Sequence, residues 1–293
     1  MGDKSRTWPF VEYSFPLSGT ENGEAGLTTV LLVAQIWKAH VKAVYIRVDS
    51  HTLAALAGES LSDGTISEMM ALAEQERGGR LRALQTMFDR LTLEWNVAVS
   101  STVRDAATAS FMVLPGGEPD QAAQVGRLAD LIVVPHPNAV EDMSSSNTLH
   151  ALLFDAGRPV LIAPHQAPKR IGERIYVGWN GTSESAVAIW FALPWLQRAK
   201  SVGLLWAKEY QHRGPPAQER SEYLADRGVQ AETVGFRPVG GDVGAGLLAA
   251  THEFGADLLA MGAYSHSRLR QLILGGVTRH VLEHAALPVL MSR

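Results

Sequence analysis

The sequence predicts two tandem α/β domains, each a doubly wound five-stranded parallel sheet with helices on both faces. Two observations carry that prediction. Short apolar runs alternate with amphipathic helical patterns, which implies right-handed crossovers and parallel strands. The same order of elements then runs through the chain twice. The repeat is also literal. Ala129-Asp130-Leu131 mirrors Ala256-Asp257-Leu258, and Arg158-Pro159-Val160-Leu161 mirrors Leu287-Pro288-Val289-Leu290.

The second half reads first. Arg174–Trp179 is a strand. Thr182 or Ser183 caps a helix running to about Ala199, with a kink or early end expected at Pro194. Ser201–Ala207 is a strand and Pro215–Arg227 a helix stopped by Gly228. Val229–Phe236 is the third strand. Asp242 caps a helix ending at Phe254, and Asp257–Met261 is a buried strand. A loop, a helix to about Ala285 and a last strand, Leu287–Met291, complete the unit. Trp179, Trp190, Trp195 and Trp206 are expected in its core.

The first half follows suit. Strands are expected at Phe10–Phe15, Val41–Val48, Trp95–Val103, Asp130–Val134 and Pro159–Ala163. Helices are expected at Gly26–Ala39, Ile66–Leu91 (broken at Gly78-Gly79) and Pro119–Leu128. The Pro-containing stretch Pro164–Gly172 is the connector, so the domains are set at 1–168 and 169–293.

Composition narrows the function classes. Hydrophobic residues are 46% and charged residues 19% of the 293, as in a globular protein with real cores. A net charge of −4 argues against nucleic acid as a partner. There are no cysteines, which excludes disulfides, thiolate catalysis and cysteine-ligated metals. Met1–Trp8 lacks the apolar core of a signal peptide. The most apolar stretch, Thr28–Trp37, falls short of the ~20 residues a bilayer needs. The expectation is a cytoplasmic protein with no membrane partner.

The chemistry concentrates in "MGAYSHSRLRQLILGGVTRHV", Met261–Val281. It follows a central strand, where open parallel sheets bind ligands. Gly262 permits close approach. Gly275 and Gly276 open a helix whose first N–H groups suit an anion. Arg268 and Arg270 add charge, Thr278 a hydroxyl, and His266 a ring able to bond a phosphate. The alternative reading of the loop is a plain connector.

With its duplicated five-strand order and "ADLLAMGAYSHSRLRQLILGGVTRHVLEHAALPVLMSR", the chain resembles a tandem universal stress protein. The resemblance is strong from Arg174 to Arg293 and weaker from Thr7 to Pro164. Nucleotide-binding members carry G-x-x-G, nine residues and G-[ST] in this loop. Gly262 matches the first glycine, Ser265 replaces the second, His266–Leu274 keep the spacing and Gly275 matches the third. Gly276 replaces the Ser or Thr, and Val277 and Thr278 follow as in binding members. The acidic residue such members place near the adenine is here Asn180, beside Gly181. Trp206 or Ala207, at the end of the second strand, would wall an adenine pocket.

The resemblance implies a regulatory stress-response protein that binds ATP (with Mg²⁺) or another adenine nucleotide in its second domain. The residues implied are Asn180, Gly181, Gly262, Ser265, His266, Ser267, Arg268, Gly275, Gly276, Val277 and Thr278. No catalytic residue and no metal ligand is assigned. A ligand-free scaffold and a slow ATP hydrolase are the alternatives. The resemblance further implies that the last strands of the two halves, Val160–Ala163 and Val289–Met291, pair within the chain as a pseudo-dimer. A homodimer of whole chains is left open.

The first domain's loop, "PHPNAVEDMSSSNTLH", reads differently. Pro135 stands where Gly262 stands, Pro135 and Pro137 lack donors, and Glu141 and Asp142 would repel a phosphate. No nucleotide is expected there. His280-Val-Leu-Glu-His284 spells H-x-x-E-H, with both histidines on one helical face but no third ligand evident. Ser18-Gly19-Thr20 reads as a plain turn. Gly240–Gly246 reads as a flexible loop opening a helix, able to line the same cleft.

Overall fold

A computed structural model describes residues 12–17, 22–47, 63–101, 105–137, 143–207, 214–215, 217–263 and 276–293. The strands are β1 Glu12–Pro16, β2 His40–Arg47, β3 Ala98–Val99, β4 Thr108–Pro115, β5 Leu131–Val134, β6 Val160–Ile162, β7 Arg174–Gly178, β8 Ser201–Trp206, β9 Ala231–Gly235, β10 Leu258–Gly262 and β11 Val289–Ser292. The helices are α1 Gly23–Trp37, α2 Asp63–Glu94, α3 Glu118–Gly126, α4 Met143–Asp155, α5 Ser183–Arg198, α6 Ala217–Ala225, α7 Val243–Glu253 and α8 Gly276–His284.

The described strands form one sheet, in the order β3-β4-β2-β1-β5-β6-β11-β10-β7-β8-β9. Each half is parallel, and the halves meet where β6 and β11 run antiparallel. Val289 faces Ile162, Leu290 faces Leu161 and Met291 faces Val160. This is the intrachain pairing that the family resemblance implies. Alternate strand residues feed two cores. One side gathers Phe15, Leu31, Phe88, Ile189, Trp195 and Leu224 from beneath α1, α2, α5 and α6. The other gathers Leu152, Leu247, Met261 and Leu282 from beneath α3, α4, α7 and α8.

The seam carries more than the strand pair. Trp37, at the end of α1, meets Trp195 of α5 edge-on at 5.3 Å, with the Arg198 guanidinium 5.0 Å over the Trp37 ring. Gly172, at φ +82, lets the connector pass Trp195, because a Cβ there would lie 2.6 Å from the indole. The repeated Ala-Asp-Leu also acquires a reason. Asp257 Oδ1 accepts the backbone N–H groups of Gly172, Glu173 and Arg174, tying the start of β7 to β10. Asp130 accepts the N–H of Glu12 at the start of β1 in the same way.

Several expectations are corrected. The first half's third parallel strand is Thr108–Pro115, which pairs with β2 over its whole length. The expected Trp95–Val103 strand shrinks to Ala98–Val99 at the sheet edge. The first half therefore shows six strands among the described residues, not five. Gly78-Gly79 do not break α2, which runs unbroken through them. α5 continues past Pro194 to Arg198, because burial of Trp195 and Leu196 just beyond the proline outweighs the one helical hydrogen bond it removes. Trp190 is 48% exposed and is not core. Ser18-Gly19-Thr20, Glu141 and Asp142 lie outside the described residues. Among the described residues no helix is long and apolar enough to cross a membrane.

Candidate functional site

In the second half the strand order β11-β10-β7-β8-β9 reverses direction between β7 and β10. Crossover helices leave to opposite faces at that point and open a crevice at the strands' carboxyl ends. A cleft of about 650 Å³, counted to its mouth, lies there. Its floor is Gly178, Leu205 and Met261. Trp179, Ala207, Phe236, Val243 and Leu247 form its walls. Asn180, Ser185, Gly262, Gly276, Val277 and Thr278 line it where α5 and α8 begin. None of these residues is charged. The shape suits a flat, largely apolar ring system with a polar end against two helix N-termini.

The turn after β7 is tightly organised. Gly181 takes φ +85, a conformation that a Cβ would strain. Asn180 Oδ1 accepts from both the N–H and the hydroxyl of Thr182, at 3.2 and 2.9 Å. Thr182 in turn caps α5, accepting the Ser185 N–H, while the Ser185 hydroxyl donates to Thr182 O. The acceptor side of Asn180 is thus used within the turn, leaving its NH₂ for a ligand. Gly214 packs its backbone directly on this turn, where an added Cβ would run into Gly181 O. The Trp179 indole donates to Pro215 O, and the Arg220 guanidinium lies 4.4 Å over its ring.

The two described glycines of the loop motif do different things. A Cβ at Gly262 would lie 2.5 Å from Glu184 C and 2.7 Å from Ser185 N, so this glycine lets α5's first turn rest on β10. A Cβ at Gly276 would meet nothing within 4 Å among the described residues. Thr278 is buried against the cleft in α8's first turn.

Of the residues expected at the site, the fold brings together Asn180, Gly262, Gly276, Val277 and Thr278 around the cleft, with Gly181 in the adjoining turn. Ser265, His266, Ser267, Arg268 and Gly275 lie outside the described residues. Leu205, Phe236, Val243, Leu247 and Ser185 were not singled out. The first four belong to apolar patterns indistinguishable from core, although the glycine-rich run before Val243 pointed towards the cleft. Ala207, not Trp206, forms the wall at the end of β8.

Beside the cleft, Asp242 caps α7 through the N–H groups of Gly244 and Ala245 and holds His280 Nδ1 at 2.9 Å. Those backbone donors, the Ala245 N–H foremost, keep the Asp242 carboxyl below its usual range. His280 stacks on His284 at 4.3 Å. Among the described residues no group of three or more His, Asp or Glu is arranged to hold a metal.

The equivalent cleft of the first half is smaller, about 310 Å³, and lined by Pro16, Glu118, Val134, Pro135, Pro137, Thr148 and Leu149. Glu118 accepts the Thr148 hydroxyl at 3.3 Å, so a carboxylate lines this cleft, unlike that of the second half. Next to it, His136 is buried. Burial first, and neighbouring His165 second, lower the pKa of its imidazole to about 4.

Residues 193–293 match the Universal stress protein family model. In fold the whole chain is similar to a universal stress protein from Archaeoglobus fulgidus DSM 4304, with a TM-score of 0.67, 13% identity and 96% of each chain covered. It is also similar to a candidate universal stress protein from Pseudomonas aeruginosa UCBPP-PA14, with a TM-score of 0.52, 14% identity, and 98% of this chain and 94% of that one covered. A functionally unknown protein from Pseudomonas aeruginosa PAO1 is similar at a TM-score of 0.52 and 12% identity, covering 96% and 92%. At these identities the likeness to solved structures is one of fold. No curated protein matches the chain in sequence.

Proposed function

From a chain with the fold of a tandem universal stress protein, whose residues 193–293 also match that family in sequence, we propose a regulatory stress-response role. In this reading it binds an adenine nucleotide in the cleft of its second half, without turnover. The observation that carries the reading is the cleft itself. It lies at the topological switch point, has an apolar slot for a base, and converges on the starts of α5 and α8. The base lies between Trp179, Phe236, Val243 and Leu247, and the NH₂ of Asn180 donates to a ring nitrogen or a ribose oxygen. The two helix starts are not equivalent. The Ser185 N–H of α5 is already taken by Thr182, so the phosphates face α8 and the N–H groups of Gly276 and Val277.

Calorimetric titration of the nucleotide-stripped full chain with ATP and AMP tests the reading. The control is Gly276→Glu, whose Cβ meets nothing among the described residues and whose carboxylate brings a negative charge to the start of α8. Saturable binding near one site per chain, lost in the variant, is the expected result. No heat at millimolar nucleotide with the chain folded would refute it and leave the second reading, a ligand-free scaffold. The described residues that line the cleft carry no charge, which favours that second reading.

A further inference from the structure

A second polar cluster lies in the first half, away from the nucleotide cleft. It joins three segments distant in sequence: Asn22 before α1, His136 two residues beyond β5, and His165 in the connector after β6. The Asn22 NH₂ donates to His136 O at 3.0 Å, which fixes its amide orientation. Its Oδ1 is then an acceptor, and it lies 3.2 Å from His165 Nδ1. That nitrogen is therefore the protonated one. His136 Nδ1 lies 3.0 Å from Pro137 O, an acceptor only, so it too carries the proton. Both rings hold their lone pair at Nε2. The rings face each other at 3.9 Å between centroids, tilted by 34°. Among the described residues His136 Nε2 is buried with no hydrogen-bond partner, on a residue only 4% exposed.

We propose that His136 and His165 form a binding site for one divalent transition-metal ion of the zinc, nickel or copper kind. Ligating histidines characteristically donate their other ring N–H to a fixed oxygen, as both do here. Imidazole nitrogen suits these ions, whereas magnesium and calcium prefer oxygen. A buried lone pair without a partner is unfavourable, and a metal bond relieves it. His165 is exposed and stands on the connector, with its ring already facing that of His136 at 3.9 Å. The bound ion ties the connector to the carboxyl end of β5, with water completing its coordination.

The test uses the untagged, metal-stripped full chain without nucleotide. It is titrated with NiCl₂ and ZnCl₂ by calorimetry, and with Cu²⁺ by electron paramagnetic resonance. His165→Gln removes the exposed ligand and leaves the buried ring in place. The double variant His280→Gln, His284→Gln removes the stacked histidine pair of α8. The proposal expects one saturable ion per chain, a Cu²⁺ signal split by two nitrogens, and at least tenfold weaker binding in His165→Gln. The double variant keeps the wild-type affinity. Absence of binding, unchanged binding in His165→Gln, or loss of binding in the double variant would overturn it.

Discussion

Replacing Gly262 and Gly276 with alanine, one at a time, should give opposite results although both belong to one sequence motif. At Gly262 the new Cβ would lie 2.5 Å from Glu184 C, 2.7 Å from Ser185 N and 2.8 Å from Glu184 Cβ. Two of those atoms are backbone, so no side chain can swing aside. The first turn of α5 must lift from β10 by nearly 1 Å to restore ordinary contact at about 3.4 Å or more. Overpacking of this kind costs about 1–3 kcal/mol. For a chain of this size each kcal/mol moves the melting temperature by about 2 °C, so Gly262→Ala should lower it by about 2–6 °C. The same displacement widens the cleft, because Ser185 and Gly262 both line it. Gly276→Ala meets nothing within 4 Å among the described residues and has no positive φ to strain, so its melting temperature should stay within about 1 °C of wild type. Circular dichroism melts of the three proteins decide the matter. A neutral Gly262→Ala, or a Gly276→Ala as damaging as it, would refute the packing argument.

Three further outcomes are expected. Asp257→Ala leaves the N–H groups of Gly172, Glu173 and Arg174 without their carboxylate and should destabilise the chain by about 3 kcal/mol or more, read by urea unfolding. Gly276→Ser adds a hydroxyl where there is room for one and should tighten ATP binding about fivefold in calorimetry, whereas unchanged affinity would separate that position from the phosphates. His40 is buried between Thr108 and Ser110, and burial, its largest influence, lowers its pKa from the usual 6.5. The unfolded chain therefore takes up a proton before the folded one does. Stability is full above about pH 6.5 and falls as pH drops towards the folded-state value, so urea midpoints should fall more steeply below about pH 6.5 in wild type than in His40→Gln.

Much of the second half was legible because its signals are local. Thr182 and Asp242 cap their helices as their residue types predict, and the repeated Pro-Val-Leu marked the last strand of each half. Thr108–Pro115 was missed because Thr108, Ala109 and Ser110 give it a weak apolar start, while the better alternation before it ends in a two-residue edge strand. The glycines of α2 suggested a break, yet single glycines cost a helix only about 1 kcal/mol each, which 32 residues of helix can absorb. The reason for Gly262 was hidden because it involves a helix start far away in sequence, at Glu184 and Ser185. The first half solves the same close approach in reverse: Pro135 occupies the strand position and Gly26 the helix position, where an added Cβ would lie 3.1 Å from Pro135 Cβ. The apolar cleft residues were hidden for another reason, since a slot for a base is built from the same side chains as a core.

The most direct test of the central claim is amide hydrogen exchange of the full chain with and without saturating ATP. The account predicts slowed exchange in peptides covering Gly178–Ser185, Leu205–Ala207 and Gly276–Leu282, with Leu131–Pro137 unchanged. Protection confined to the first half, or none at millimolar ATP, would contradict it.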